Sequence, residues 1–125
     1  MTIALSIFAL LAIALHVYIW YMETFLWAKE AGMRTFGMSR EFAESTREMA
    51  ANQGLYNLML AGIGAAGLAL FWAGQSAVGA ALMYAGIGSM LIAGLFLFVT
   101  SPSKRRPATI QLTFPLLTVL TLLFV

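Results

Sequence analysis

Residues 49–103 read MAANQGLYNLMLAGIGAAGLALFWAGQSAVGAALMYAGIGSMLIAGLFLFVTSPS and contain no Asp, Glu, Lys or Arg. A spanning helix needs roughly 20 apolar residues, so this block is long enough to cross a membrane twice, with a reversal at Gly74, Gln75 and Ser76. Working outward, residues 1–22 and 107–125 are also free of charge. The chain's 7 Lys or Arg and 5 acidic residues, all of them Glu, fall within residues 23–48 and the triplet Lys104, Arg105, Arg106. Three apolar blocks separated by two charged loops predict an all-α polytopic membrane protein, a four-transmembrane-helix bundle. The helices are expected at about 3–27, 50–72, 78–99 and 108–125 of one transmembrane domain, 1–125. Charge sits only on the first and third loops, so both lie on one side. Their excess of Lys and Arg assigns loops 28–49 and 101–107 to the cytoplasm and both termini to the outside. The expected location is the cytoplasmic (plasma) membrane.

Composition excludes most other classes. With 62% hydrophobic and 10% charged residues and a mean hydropathy of +0.90, the chain has too little polar surface to coat a soluble domain of 125 residues. The formal charge of +2 comes from the third loop, where it marks orientation, so nucleic acid is not an expected partner. Without Cys the chain can form neither disulfides nor thiolates, and one His cannot build a His-rich metal site. No metal and no cofactor is therefore expected. Because the apolar N-terminal run is long and lacks a basic leader, it reads as a retained first helix.

The first loop is too long for a simple reversal. Gly32 and Gly37 punctuate it, Ser39 is a candidate helix N-cap with Glu41 in the following turn, and helix two is expected to begin early and project into the cytoplasm. Small residues crowd the next two helices, among them Gly62, Gly64 and Gly67, then Gly79, Gly86 and Gly88. In lipid, small residues let backbones approach and gain dispersion contacts. They predict a tight hairpin between helices two and three, or a subunit interface of a homo-oligomer.

Polar residues inside the membrane are costly unless paired or facing water, which makes each a functional candidate. On helix one His16, Trp20, Glu23 and Trp27 fall at i, i+4, i+7 and i+11, one helical stripe. At about 1.5 Å rise per residue, Glu23 lies roughly 6 Å inside Trp27 and His16 roughly 10 Å deeper. Helix two starts on the same side with Asn52, Gln53, Tyr56 and Asn57, and helix four contributes Gln111. Together they predict a polar pocket in the cytoplasmic half. Glu23, His16 and Tyr56 are its candidate catalytic residues, and Trp20, Trp27, Asn52, Gln53, Asn57 and Gln111 are its candidate ligand contacts. The competing structural reading makes the amides interhelical glue and the tryptophans interfacial anchors.

The runs Glu23-Thr-Phe-Leu-Trp27, Phe36-Gly-Met-Ser39, Phe42-Ala43 and Ala50-Ala-Asn-Gln-Gly-Leu-Tyr-Asn57 carry a resemblance. From His16 to about Gly67 the chain resembles the bacterial integral membrane family labelled domain of unknown function 1304. In that family a Gln followed closely by a Pro opens the last helix; Gln111 and Pro115 are similar but stand farther apart. The resemblance implies a small four-helix membrane fold and a shared site, and it implies no activity.

Three functions are compatible with these residues. In the first, the pocket binds a small amphipathic or lipid-derived molecule, with membrane lipid as the other partner. If this pocket is catalytic, Glu23 is the acid/base in proton transfer or isomerisation, with His16 or Tyr56 as its partner. The second is a proton-coupled small-molecule transporter or exporter, opposed by the almost wholly apolar outer half. In the third, a structural or regulatory subunit docks a partner through Arg34, Phe36, Arg40 and Phe42.

Overall fold

The computed structural model describes residues 2–125 and is all-α. Five helices follow one another: α1 (Thr2–Tyr21), α2 (Glu30–Phe36), α3 (Arg40–Trp72), α4 (Ser76–Thr100) and α5 (Arg105–Leu122). A π-helical turn, Met22–Leu26, prolongs α1, and a 3-10 turn, Pro102–Lys104, leads into α5. Three helical segments, Thr2–Leu26, Arg40–Trp72 and Ser76–Thr100, are long and apolar enough to cross a membrane. The last helix is 18 residues long and opens on Arg105 and Arg106.

Local chemistry explains the boundaries. Ser39 has extended backbone and its hydroxyl accepts from Phe42 N–H at 3.2 Å, while Glu41 occupies the first turn of α3 near the positive end of the helix dipole. With that cap and no Gly or Pro until Gly54, the helix starts at Arg40, well before residue 50. Its 33 residues span roughly 50 Å at 1.5 Å per residue, more than the ~30 Å thickness of a bilayer's hydrocarbon core. At the other end Gly74 takes φ +86°. Gln75 N–H reaches Leu70 O at 3.0 Å and Gly74 N–H reaches Phe71 O at 3.2 Å, a Schellman closure that needs a left-handed residue. Gly37, at φ +64°, closes α2 the same way through Met38 N–H to Met33 O at 2.9 Å.

The four long helices run up and down around a small core, with α1 between α3 and α5, and α4 between the same two on the opposite side. The α3–α4 seam is the tightest. A Cβ added at Gly67 would lie 2.7 Å from Met83 N, at Gly79 2.6 Å from Phe71 N, and at Gly86 2.7 Å from Gly64 N. Backbone therefore rests on backbone, the hairpin expected from the small residues. Between α4 and α5, Gly94 receives the Leu112 side chain. Leu5, Ala9 and Ala12 of α1 meet Ala61 and Leu68, Met83, Ile87 and Met90, and Leu122 of α5 in one buried cluster. Ile3, Ile92, Phe96 and Val99 point outward and remain exposed.

At the charged end the two loops are fastened together. Gly32 lets α2 settle on the backbone carbonyls of Leu26 and Trp27, and the Phe36 ring lies 5.0 Å from Trp27. Lys104 Nζ, from the loop before α5, donates to Phe36 O at the C-terminal end of α2. A cation there complements the helix dipole.

Candidate functional site

The π turn is the irregularity on which the site is built. Such turns hold an extra residue and frequently mark functional sites. The one here carries Glu23, at the end of the first segment long and apolar enough to span a membrane. Asn57 of α3 donates Nδ2–H to Glu23 Oε2 at 2.8 Å, and its amide also approaches Gln53 O of its own helix at 3.3 Å. Glu23 is half-buried and takes part in no ion pair among the described residues.

Gly54 makes this approach possible. A Cβ at that position would stand 2.8 Å from Thr24 Oγ1, 3.2 Å from Glu23 Cβ and 3.3 Å from Trp20 O. The absent side chain of α3 thus seats the π turn and brings Glu23 within reach of Asn57, three residues farther along. Thr24 Oγ1 is buried against this seat without a hydrogen-bond partner.

His16 lies about two turns away along α1, fully buried at 0% exposure. Its Nδ1 is 2.9 Å from Ala12 O. A carbonyl can only accept, so Nδ1 carries the proton. That leaves Nε2, which is buried and has no partner. Buried polar atoms are nearly always paired, so this orphaned ring nitrogen is an exception among the buried groups of the fold.

The sequence-predicted residues separate into two groups. Glu23 and Asn57 are brought together, with Trp20 packed beside them through its backbone at Gly54 and its ring 5.7 Å from Phe25. Gln111 is half-buried on α5, in register with the buried stripe of Ala108, Pro115, Thr118 and Leu122, and faces the bundle. Tyr56 is not brought in: it is 64% exposed on the outer face of α3. Asn52 and Gln53 are exposed as well. Adjacent positions on a helix differ by about 100°, so with Asn57 turned to α1, Tyr56 turns away. Trp27 leaves the His16–Trp20–Glu23 stripe because the π turn shifts the helical phase beyond it. Its indole instead donates to Thr46 Oγ1 at 3.0 Å and its ring packs on Phe36. Gly54 and Thr46 were not singled out by sequence reasoning, although Gly54 sits in the middle of the amide-rich run, where a missing side chain is a signal of close approach.

Residues 10–123 match the family described as "Protein of unknown function (DUF1304)". The chain belongs to this family. Membership covers all the long helices, including α4 and α5, whose resemblance by motif alone is weaker. No curated protein and no solved structure matches the chain.

Proposed function

We propose that this protein of the DUF1304 family crosses the membrane four times and binds a small amphipathic molecule, with Glu23 holding its polar end. The observation that carries the reading is the Glu23 carboxylate. It stands at the end of a spanning segment, on a π turn, held by one amide and no cation. A carboxylate needed only for solvation is better placed in the loop, because ionisable groups at membrane depth are expensive. His16 Nε2 offers a second polar contact deeper in the same helix. Acid/base chemistry on a membrane-soluble substrate would use these two groups, with Glu23 as the proton carrier.

A fourth crossing by α5 is supported by its hydroxyls. Thr109, Thr113, Thr118 and Thr121 each donate to the carbonyl four residues back, at 2.6–2.8 Å. Their polarity is consumed inside the helix, so α5 is more compatible with lipid than its composition implies. Beyond Arg105 and Arg106 the helix runs on to Leu122, roughly 24 Å at 1.5 Å per residue, a little short of the ~30 Å hydrocarbon thickness. On this reading an even number of crossings leaves both termini on one side, and the excess of Lys and Arg in the two loops favours the cytoplasm for the other.

Native mass spectrometry of the protein released gently from its own membrane tests the binding. The parent should carry a bound small molecule that Glu23→Gln loses and Asn57→Ala holds more weakly. Parent and variant both free of adducts would reject the pocket and leave the amides as interhelical glue.

A further inference from the structure

A second feature lies where the π turn meets the first turns of α3: a cleft of about 240 Å³ whose walls include Thr24, Phe25, Trp27, Lys29, Glu44 and Arg47. Neither Glu23 nor His16 lines it. Two cations face this hollow and neither is firmly engaged. Lys29 makes no ion pair among the described residues, and Arg47 meets only Glu44, loosely, at 3.7 Å with both side chains more than half exposed. Three of the other basic residues are committed elsewhere, Arg34 to Glu30 at 2.9 Å, Lys104 to Phe36 O, and Arg105 to the Phe98 carbonyl and ring, while Arg40 and Arg106 make no ion pair among the described residues but do not line the cleft. The cleft therefore gathers free positive charge just beyond Leu26, where the spanning segment ends. Below it, Tyr18, Tyr21 and Phe25 leave an exposed aromatic stripe along α1, with the Tyr21 and Phe25 rings 5.5 Å apart.

We propose that this cleft binds the phosphate of a membrane phospholipid. Lys29 and Arg47 donate to the phosphate oxygens in charge-assisted hydrogen bonds, which are shorter and stronger than neutral ones. Trp27 and Phe25 flank the glycerol region, a depth that aromatic rings favour, and the acyl chains descend along the Tyr21 and Tyr18 face. Glu44 is the selective element. Beside a phosphate it opposes further negative charge and competes for Arg47, so its removal strengthens binding of an anionic headgroup. The site uses none of the groups assigned to the Glu23 pocket and stands without it.

The test is lipid titration of the purified full chain in detergent, read by native mass spectrometry. Dioleoylphosphatidylglycerol, the phosphate-free dioleoylglycerol and inorganic phosphate are the probes. Phosphatidylglycerol should bind about tenfold more tightly than dioleoylglycerol. The double variant Lys29→Ala/Arg47→Ala should lose that margin, while Arg34→Ala/Arg106→Ala, which removes the same charge elsewhere, stays within about twofold. Glu44→Gln should tighten phosphatidylglycerol by about threefold. Equal losses in the two double variants would overturn the site in favour of diffuse charge. Equal binding of the two lipids would overturn phosphate recognition. Displacement of the lipid by an equal concentration of inorganic phosphate would overturn the lipid source, since a soluble phosphate ester would then suffice.

Discussion

Glu23, Asn57 and Gly54 act as a unit, and the unit exists because one of them has no side chain. An alanine at position 54 must push its methyl against Thr24 Oγ1, Glu23 Cβ and Trp20 O. Only the first of these belongs to a side-chain end that can turn aside. Gly54→Ala should therefore destabilise the protein by about 1–3 kcal/mol, as overpacking does, and displace Glu23 from Asn57. Thermal unfolding in detergent measures the first effect, and ligand adducts in native mass spectra report the second. Glu23 and Asn57 were legible in the sequence, the one as a carboxylate in helical register with His16 and Trp20, the other inside an amide-rich run. Tyr56, Asn52 and Gln53 were drawn into the same cluster because residues near one another in sequence share a depth, whereas a site is decided by direction. The helical phase of α3 is hard to read where apolar side chains continue on nearly every face. The π turn was illegible for a related reason: Met22–Leu26 carries no Gly or Pro to mark it, and its seat on Gly54 comes from a distant helix.

At the scale of elements, glycines of the same helix divide by what faces them. Gly67 and Gly79 touch the backbone of the opposing helix, whereas Gly62 and Gly88 have nothing within 4 Å of an added Cβ. Gly67→Val should abolish the native fold or shift α4 bodily, read as loss of the cooperative unfolding transition. Gly62→Ala should be neutral or stabilise by up to about 1 kcal/mol, the helix propensity of alanine over glycine. The sequence showed a small-residue stripe but could not show which positions the stripe presents to α4. Ser39 as the start of α3 was readable because a cap is local chemistry. The clamp on α2 was not, since it joins Lys104 to Phe36 O across the whole length of α3 and α4. Lys104→Ala removes that donor and should speed hydrogen exchange of the last α2 amides severalfold, equivalent to about 0.3–1 kcal/mol of local stability. Exchange in the α3–α4 seam should be unchanged.

For the molecule as a whole, the charge pattern of the sequence and the packing of the helices point to one arrangement. Every Lys, Arg and Glu lies at one end of the bundle, and Trp72, bonded to Ser6 Oγ at 2.9 Å, closes the other. The all-α class and the three long apolar segments were accessible from the sequence because absence of charge over long stretches has few solutions. The crossing of α5 is the least direct part of that reading, because its threonines lower its hydropathy while bonding to their own helix. The topology proposed for the chain, four crossings with a single basic side, stands or falls on α5. The chain contains no Cys, so single cysteines introduced at Gln75, Ser103 and Phe124 can be labelled with a membrane-impermeant maleimide in intact cells without background. Four crossings predict that Gln75→Cys and Phe124→Cys are labelled from outside and Ser103→Cys only after permeabilisation. Labelling of Phe124→Cys together with Ser103→Cys, on the side opposite Gln75→Cys, would contradict it, leaving α5 folded against three crossings.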